Sequence, residues 1–393
     1  MNRQLLLLTL CQGLFFVNNV TFVAINGLVG LQLAPLGWMA TLPLTAYVGG
    51  GALAAPLVAR HQRAWGRRRC FEAGLAVAIV SAGLCALAAH VHSFALLLLA
   101  TALAGYYNAN AQLYRFAATE VVAPAYKERA ISWVLAGGIF GGVIGPNLAN
   151  ETRDALAQPF VGAYVALMVV AALAWGVMRF ITFPPLHAAG AASAPTRSLR
   201  ELARQPTFVV AIVAAALGYG VMNLLMAATP IAMQQCGHAF SAAALVLEAH
   251  VLAMFTPSFF TGALIRRIGV TPVLAAGALL NLGCVALALS GQEVMHFTGA
   301  LALLGVGWNF LYIGGTTLFT QTYHPAERTT AQAAMDTTVL ATMTVTSFSS
   351  GALVTTGGWR WMNLGTLVPV GATLLALVWL VRARMQARGL PTA

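Results

Sequence analysis

Apolar runs long enough to cross a lipid bilayer fill most of this chain, and no other feature constrains its fold as much. Twelve such runs lie at about residues 5–31, 37–59, 70–90, 94–120, 130–150, 160–182, 207–233, 241–264, 271–290, 296–320, 331–355 and 361–381. Each has the roughly 20 residues that a helix needs to span the hydrocarbon layer, and the longer ones permit tilt. Only 8% of the 393 residues are charged and 59% are hydrophobic, against about 25% charged in soluble domains. Lipid offers a backbone no water to bond, so these runs must close their hydrogen bonds within helices. The expectation is an all-α polytopic membrane protein with 12 transmembrane helices. The first run is long enough to span and has no small-residue cleavage site, so no cleaved signal peptide is expected. Cys11, Cys70, Cys85, Cys236 and Cys284 form no paired motif and imply no disulfide framework.

A net charge of +11 would suggest nucleic acid in a soluble protein. Here its distribution explains it. With the N-terminus inside, 19 of the 21 basic residues fall in or beside cytoplasmic segments; Arg153 and Arg360 are the exceptions. That asymmetry predicts both termini in the cytoplasm. No nucleic-acid partner is expected; membrane lipid is.

The longest non-apolar interval runs from Phe183 to Pro206 and holds Pro184, Pro185 and Pro195. It reads as a cytoplasmic linker, 183–206, between an N-terminal six-helix bundle, 1–182, and a C-terminal one, 207–393. The halves echo each other at an offset near 200: Arg63-Ala64-Trp65-Gly66-Arg67 matches Arg266-Arg267-Ile268-Gly269-Val270, and the PAYKER run from Pro124 echoes the PAER run from Pro325. A parallel duplication of six spans, giving two pseudo-symmetric bundles, resembles the major facilitator superfamily. The run from Gly262 to Gly269 resembles that superfamily's loop motif, except that Arg266, and Arg63 in the first half, stand where its acid usually does. The glycines from Gly137 to Gly145 before Pro146 resemble its span-5 motif, where small residues let helices approach closely. The resemblance implies a carrier that works by alternating access, usually a monomer, in the bacterial inner membrane.

Met222 and Met226 lie on span 7, and His250 and Met254 on span 8. Each pair is spaced i, i+4, about 40° apart on one helix face. An antiparallel hairpin would bring them to similar depth. Thioethers with one imidazole form a ligand set suited to Cu(I), neutral enough to bury and labile enough to release the ion. His250 alone among eight histidines lies well inside a span, where an ionisable group is costly and usually faces the bundle interior. Taken alone, the methionines read equally as helix packing, and His250 as a structural histidine. The pattern resembles the CcoA-like copper importers, which implies copper as substrate, no prosthetic group, and a supply of copper for cytochrome oxidase assembly. Met233, Cys236 and His238 would then sit at the outer mouth as a possible metal entry.

Glu72, Glu120, Glu248 and Asp336 read as buried acids. Glu248 or Asp336 would either couple transport to a proton or pair with an arginine such as Arg115. No Ser-His-Asp set, phosphate loop or zinc motif occurs, and the loops are too short for an active site, so an enzyme is not expected. An organic solute such as riboflavin or a drug is the alternative cargo, with Tyr106, Tyr107, Trp308, Phe310 and Tyr312 stacking on its ring. A non-transporting copper sensor or assembly subunit is the second alternative, and the lack of a soluble output domain counts against it. Direction, energy coupling and copper oxidation state have no signal in the sequence.

Overall fold

A computed structural model describes residues 2–123, 126–184, 197–324 and 327–387 of the chain. Fourteen α-helices fill the described residues: α1 Arg3–Leu33, α2 Leu42–His90, α3 Phe94–Ala111, α4 Tyr114–Ala118, α5 Lys127–Thr152, α6 Val161–Met178, α7 Leu199–Leu202, α8 Pro206–Gln235, α9 Phe240–Phe255, α10 Ser258–Ile268, α11 Val270–Ser290, α12 Val294–Phe319, α13 Arg328–Thr356 and α14 Gly358–Ala387. The twelve expected spans fall on these helices in order. Helix α2 carries two of them, separated at Gly66, whose φ of 77° and ψ of 170° interrupt the helix. Helices α3 and α4 together carry another, and the expected eighth span falls on α9 and α10, with a bend of 41° at the break between them.

Gly66 has a counterpart. Between α10 and α11, Gly269 has φ 89° and ψ 161°. A side chain rarely tolerates that conformation, so the two glycines matched in the sequence are the two points where each half turns between its second and third spans. The duplication is thus expressed in backbone geometry as well as in residues.

Two compact units divide the contacts. Unit 1 comprises residues 1–188, 227–252 and 347–356; unit 2 comprises 189–226, 253–346 and 357–393. The expected halves differ from these in that segments 227–252 and 347–356 cluster with the N-terminal residues. Of the expected linker, residues 185–196 lie outside the described residues. Residues 197–206 are folded against unit 2: Ser198 and Glu201 form a capping box at α7, and Leu202 is fully buried.

Unit 1 is centred on α1, whose Leu8 and Phe15 are buried with Phe71, Tyr107 and Tyr114. Glycines set its helix spacing. A Cβ on Gly141 of α5 would overlap the Phe16 side chain and the adjoining backbone of α1, so the glycine run of span 5 serves close packing. Arg67 and Glu120 form a bidentate ion pair at 3.1 and 2.6 Å, and Arg67 also donates to Gln62. Arg115 lies instead over the ring of Phe116.

In unit 2, Phe208, Leu274, Leu311, Phe319 and Leu377 share a buried core. At one end Glu327 accepts from the Arg197 backbone N–H, Nε and Nη2 at 2.9, 2.8 and 2.7 Å and from the His324 N–H at 2.9 Å. Those donors, the Arg197 guanidinium first, hold the Glu327 carboxyl well below the usual carboxylate range.

Candidate functional site

Helices α8, α9 and α12 contribute four aromatic rings to unit 2. Trp308 and Tyr312 sit one turn apart on α12 and stack, with centroids 5.3 Å apart and planes 10° apart. Tyr219 of α8 meets both edge-on, at 5.4 Å from Trp308 and 5.3 Å from Tyr312. Phe255, at the end of α9, meets Trp308 edge-on at 6.1 Å. Trp308 is buried, while Tyr219, Phe255 and Tyr312 are half-buried, so the cluster keeps an accessible side. The Trp308 Nε1–H is buried with no hydrogen-bond acceptor. A buried indole donor usually finds a partner; this one has none among the described residues.

Asn309, next to Trp308, fixes the break between α9 and α10. It is fully buried. Its Nδ2 donates to the Met254 carbonyl and to Ser258 Oγ, both at 2.7 Å, and its Oδ1 accepts from Thr261 Oγ1 at 2.7 Å. Pro257 lacks an N–H and interrupts the helix ladder. The missing N–H leaves the Ala253 carbonyl, four residues back, without its helical donor, and at the same break Asn309 Nδ2 donates to the neighbouring Met254 carbonyl.

Of the aromatic residues expected to stack on a ring, the structure brings Trp308 and Tyr312 together. Phe310 is buried in unit 2 but packs against Gly277. Tyr106 and Tyr107 belong to unit 1, where Tyr106 bonds His61 Nδ1 at 2.7 Å and Tyr107 packs edge-on against Phe15. Tyr219 and Phe255 were not foreseen: their partners lie 53 or more positions away on other helices, a distance at which local spacing says nothing.

The methionine–histidine set divides between units. Met222, Met226 and Met254 belong to unit 2 and His250 to unit 1. Met222, Met254 and His250 are buried and Met226 is half-buried. Among the described residues no three His, Cys, Asp or Glu side chains gather as a metal-ligand group. Met233, expected at an outer mouth, is fully buried within α8, which continues through Pro230 to Gln235. Cys236 and His238 follow in the turn, and burial pushes the Cys236 thiol up, away from the thiolate that binds metal.

The acids differ from expectation. Glu120 and Glu72 are ion-paired with Arg67 and Arg68. Glu248 is half-buried, and its Oε2 accepts from Asn147 Nδ2 at 2.9 Å within unit 1. Asp336 is exposed, where the sequence read it as buried.

The sequence profile described as Major Facilitator Superfamily matches residues 5–248 and 211–392. This chain belongs to the major facilitator superfamily. Among curated relatives, this facilitator is 37% identical over 378 residues to the riboflavin transporter RfnT of Brucella anthropi, covering 96% of this chain and 95% of the relative. It is 29% identical over 353 residues to the uncharacterized MFS-type transporter YdeG of Bacillus subtilis, covering 84% and 81%. Among solved structures, a bacterial homolog of the human lysosomal transporter Spinster superposes with a TM-score of 0.72 at 16% identity, covering 96% of each chain. The human organic anion transporter MFSD10 superposes with a TM-score of 0.67 at 15% identity, covering 95% and 99%. Both likenesses are to the fold, which is that of a multi-pass membrane carrier.

Proposed function

We propose that this facilitator carries riboflavin, or a close planar analogue, into the cell. The observation that carries the reading is the similarity to the Brucella riboflavin transporter along nearly the whole of both chains. The aromatic cluster of unit 2 agrees with it in chemistry. A flavin ring presents a large π-face, which half-buried aromatic edges and faces bind well. It also presents carbonyl and ring-nitrogen acceptors, which the Trp308 Nε1–H would meet. The substrate is expected to bind beside Trp308, Tyr312, Tyr219 and Phe255.

Copper was the first expectation from the sequence, and the relatives favour the organic solute instead. Chemistry counts against part of the copper path as well. His238, one of the expected entry residues, lines a cavity with the guanidinium of Arg153, and a fixed positive charge there opposes a cation. The reading left to copper rests on buried His250 with Met222, Met226 and Met254.

Two six-helix bundles, cytoplasmic termini, a monomer in the inner membrane, and proton coupling through Glu248 or Asp336 complete the proposal. Growth of a riboflavin-auxotrophic bacterium tests it. Expression of the chain is expected to lower the riboflavin concentration needed for growth. Growth no better than that of the empty host, with the protein present in the membrane, would reject the reading.

A further inference from the structure

Unit 1 contains a cavity of about 250 Å³ whose walls include Arg153, Phe160, Gln234, His238 and Phe240. The loop between α5 and α6 shapes its cationic wall. Phe160 adopts φ 68° and ψ −15°, a left-handed conformation uncommon for a bulky residue. Its N–H donates to the Arg153 carbonyl at 2.6 Å, which folds the loop back on itself. The Arg153 guanidinium then lies 5.1 Å from the centre of the Phe160 ring and 5.3 Å from that of Phe240. The two rings meet edge-on at 6.0 Å and 82°.

Ring contacts hold a guanidinium in place but satisfy none of its N–H donors. The Arg153 side chain is 30% exposed, and its nearest carboxylate, Asp154, stands 3.5 Å from Nε and is itself 69% exposed. Among the described residues, Nε is buried without a hydrogen-bond acceptor. A held, partly desolvated, planar cation with spare donors matches a carboxylate or phosphate in shape and charge. Gln234 and His238 add polar groups to the same walls, and the phenylalanine rings add an apolar surface.

We propose that this cavity is a binding site for a small carboxylate or phosphate anion, held by Arg153 between Phe160 and Phe240. Its volume lies below the roughly 300 Å³ at which pockets for drug-sized ligands begin. It therefore suits an anion of fragment size rather than a whole flavin, and the site is separate from the aromatic cluster of unit 2. The inference does not depend on which solute is carried.

Calorimetric titration of the full-length protein in phosphatidylcholine nanodiscs tests it, with sodium benzoate and inorganic phosphate as probes. Saturable binding of at least one probe is expected, weakened about tenfold or more in Arg153→Gln. Arg153→Lys, which keeps the charge and loses the planar fork, is expected to fall between the two. A second set of nanodiscs containing phosphatidylglycerol distinguishes the source of the anion. Weaker binding of the probes there identifies a lipid headgroup as occupant; unchanged binding identifies a free anion. Should Arg153→Gln fail to accumulate, His238→Leu and Gln234→Leu leave the guanidinium and rings in place and are expected to weaken binding. No binding to the wild type, or equal binding to wild type and Arg153→Gln, overturns the proposal, as does unaltered affinity in both lining variants. Riboflavin uptake measured beside these titrations reads the carrier function separately.

Discussion

Replacing Asn309 by leucine removes three hydrogen bonds at 2.7 Å while nearly conserving side-chain volume. Interhelical hydrogen bonds in bilayers average about 0.6 kcal/mol, so three give about 2 kcal/mol. The partners are affected unequally. Thr261 Oγ1 still reaches the Pro257 carbonyl at 2.7 Å, and Ser258 is exposed. The Met254 carbonyl, left bare where the helix breaks, loses its donor and adds about 1 kcal/mol or more. The total is about 3 kcal/mol, on the order of a 100-fold drop in the folded-to-unfolded ratio. Phe255 follows Met254 directly, so its contact with Trp308 is disturbed too. Reversible unfolding in mixed micelles on a denaturant titration reads the stability, and uptake in cells reads the site. Asn309→Asp keeps the acceptor for Thr261 but sets a carboxylate against the Met254 carbonyl with no donor between them, and is expected to be at least as damaging. A leucine variant within about 0.5 kcal/mol of wild type would refute the account of this break.

Trp308→Leu removes the stacking partner and the unpaired indole donor, and is expected to raise the KM for riboflavin about 5- to 150-fold, the worth of one aromatic stack of 1–3 kcal/mol; kinetics of labelled riboflavin uptake at matched membrane levels check this. Gly351→Ala places a methyl against Thr41, whose hydroxyl donates to the Ser347 carbonyl at 2.7 Å and accepts from the Gly351 N–H at 2.8 Å. A cost of about 1–3 kcal/mol is expected, read as a lower thermal midpoint. Glu327→Gln breaks the Arg197 pair. Because the folded carboxyl titrates below its ordinary value of 4.5, its contribution is complete above that pH and is lost as pH falls toward the depressed value. The stability gap between wild type and variant is therefore expected to be constant from pH 7 to 5 and to narrow under more acid conditions.

Periodic and compositional signals carried the fold. The apolar runs placed the long helices, nine or ten of which among the described residues are long and apolar enough to cross a membrane, and the Gly66 and Gly269 runs marked both interior turns, because positive φ leaves a residue-specific mark. Burial of His250 was also legible, since an ionisable side chain stands out in an apolar helix. Pairings across helices were not. Arg67 with Glu120, Asn147 with Glu248, and Arg153 with Phe240 join residues 53 to 101 positions apart, and no local pattern marks them. The expectation of copper came from methionines at helical spacing, a spacing that packing produces equally well. Asp336 reads as buried because it lies inside the run 331–355; its own face of α13 is exposed.

Flux into liposomes containing only the purified protein measures the cargo most directly. Labelled riboflavin and Cu(I), supplied in parallel, are each followed for the wild type, Trp308→Leu and His250→Ala. The account predicts saturable riboflavin entry that Trp308→Leu impairs, with copper entry no greater than in empty liposomes. Copper entry abolished by His250→Ala, with riboflavin left outside, would contradict it.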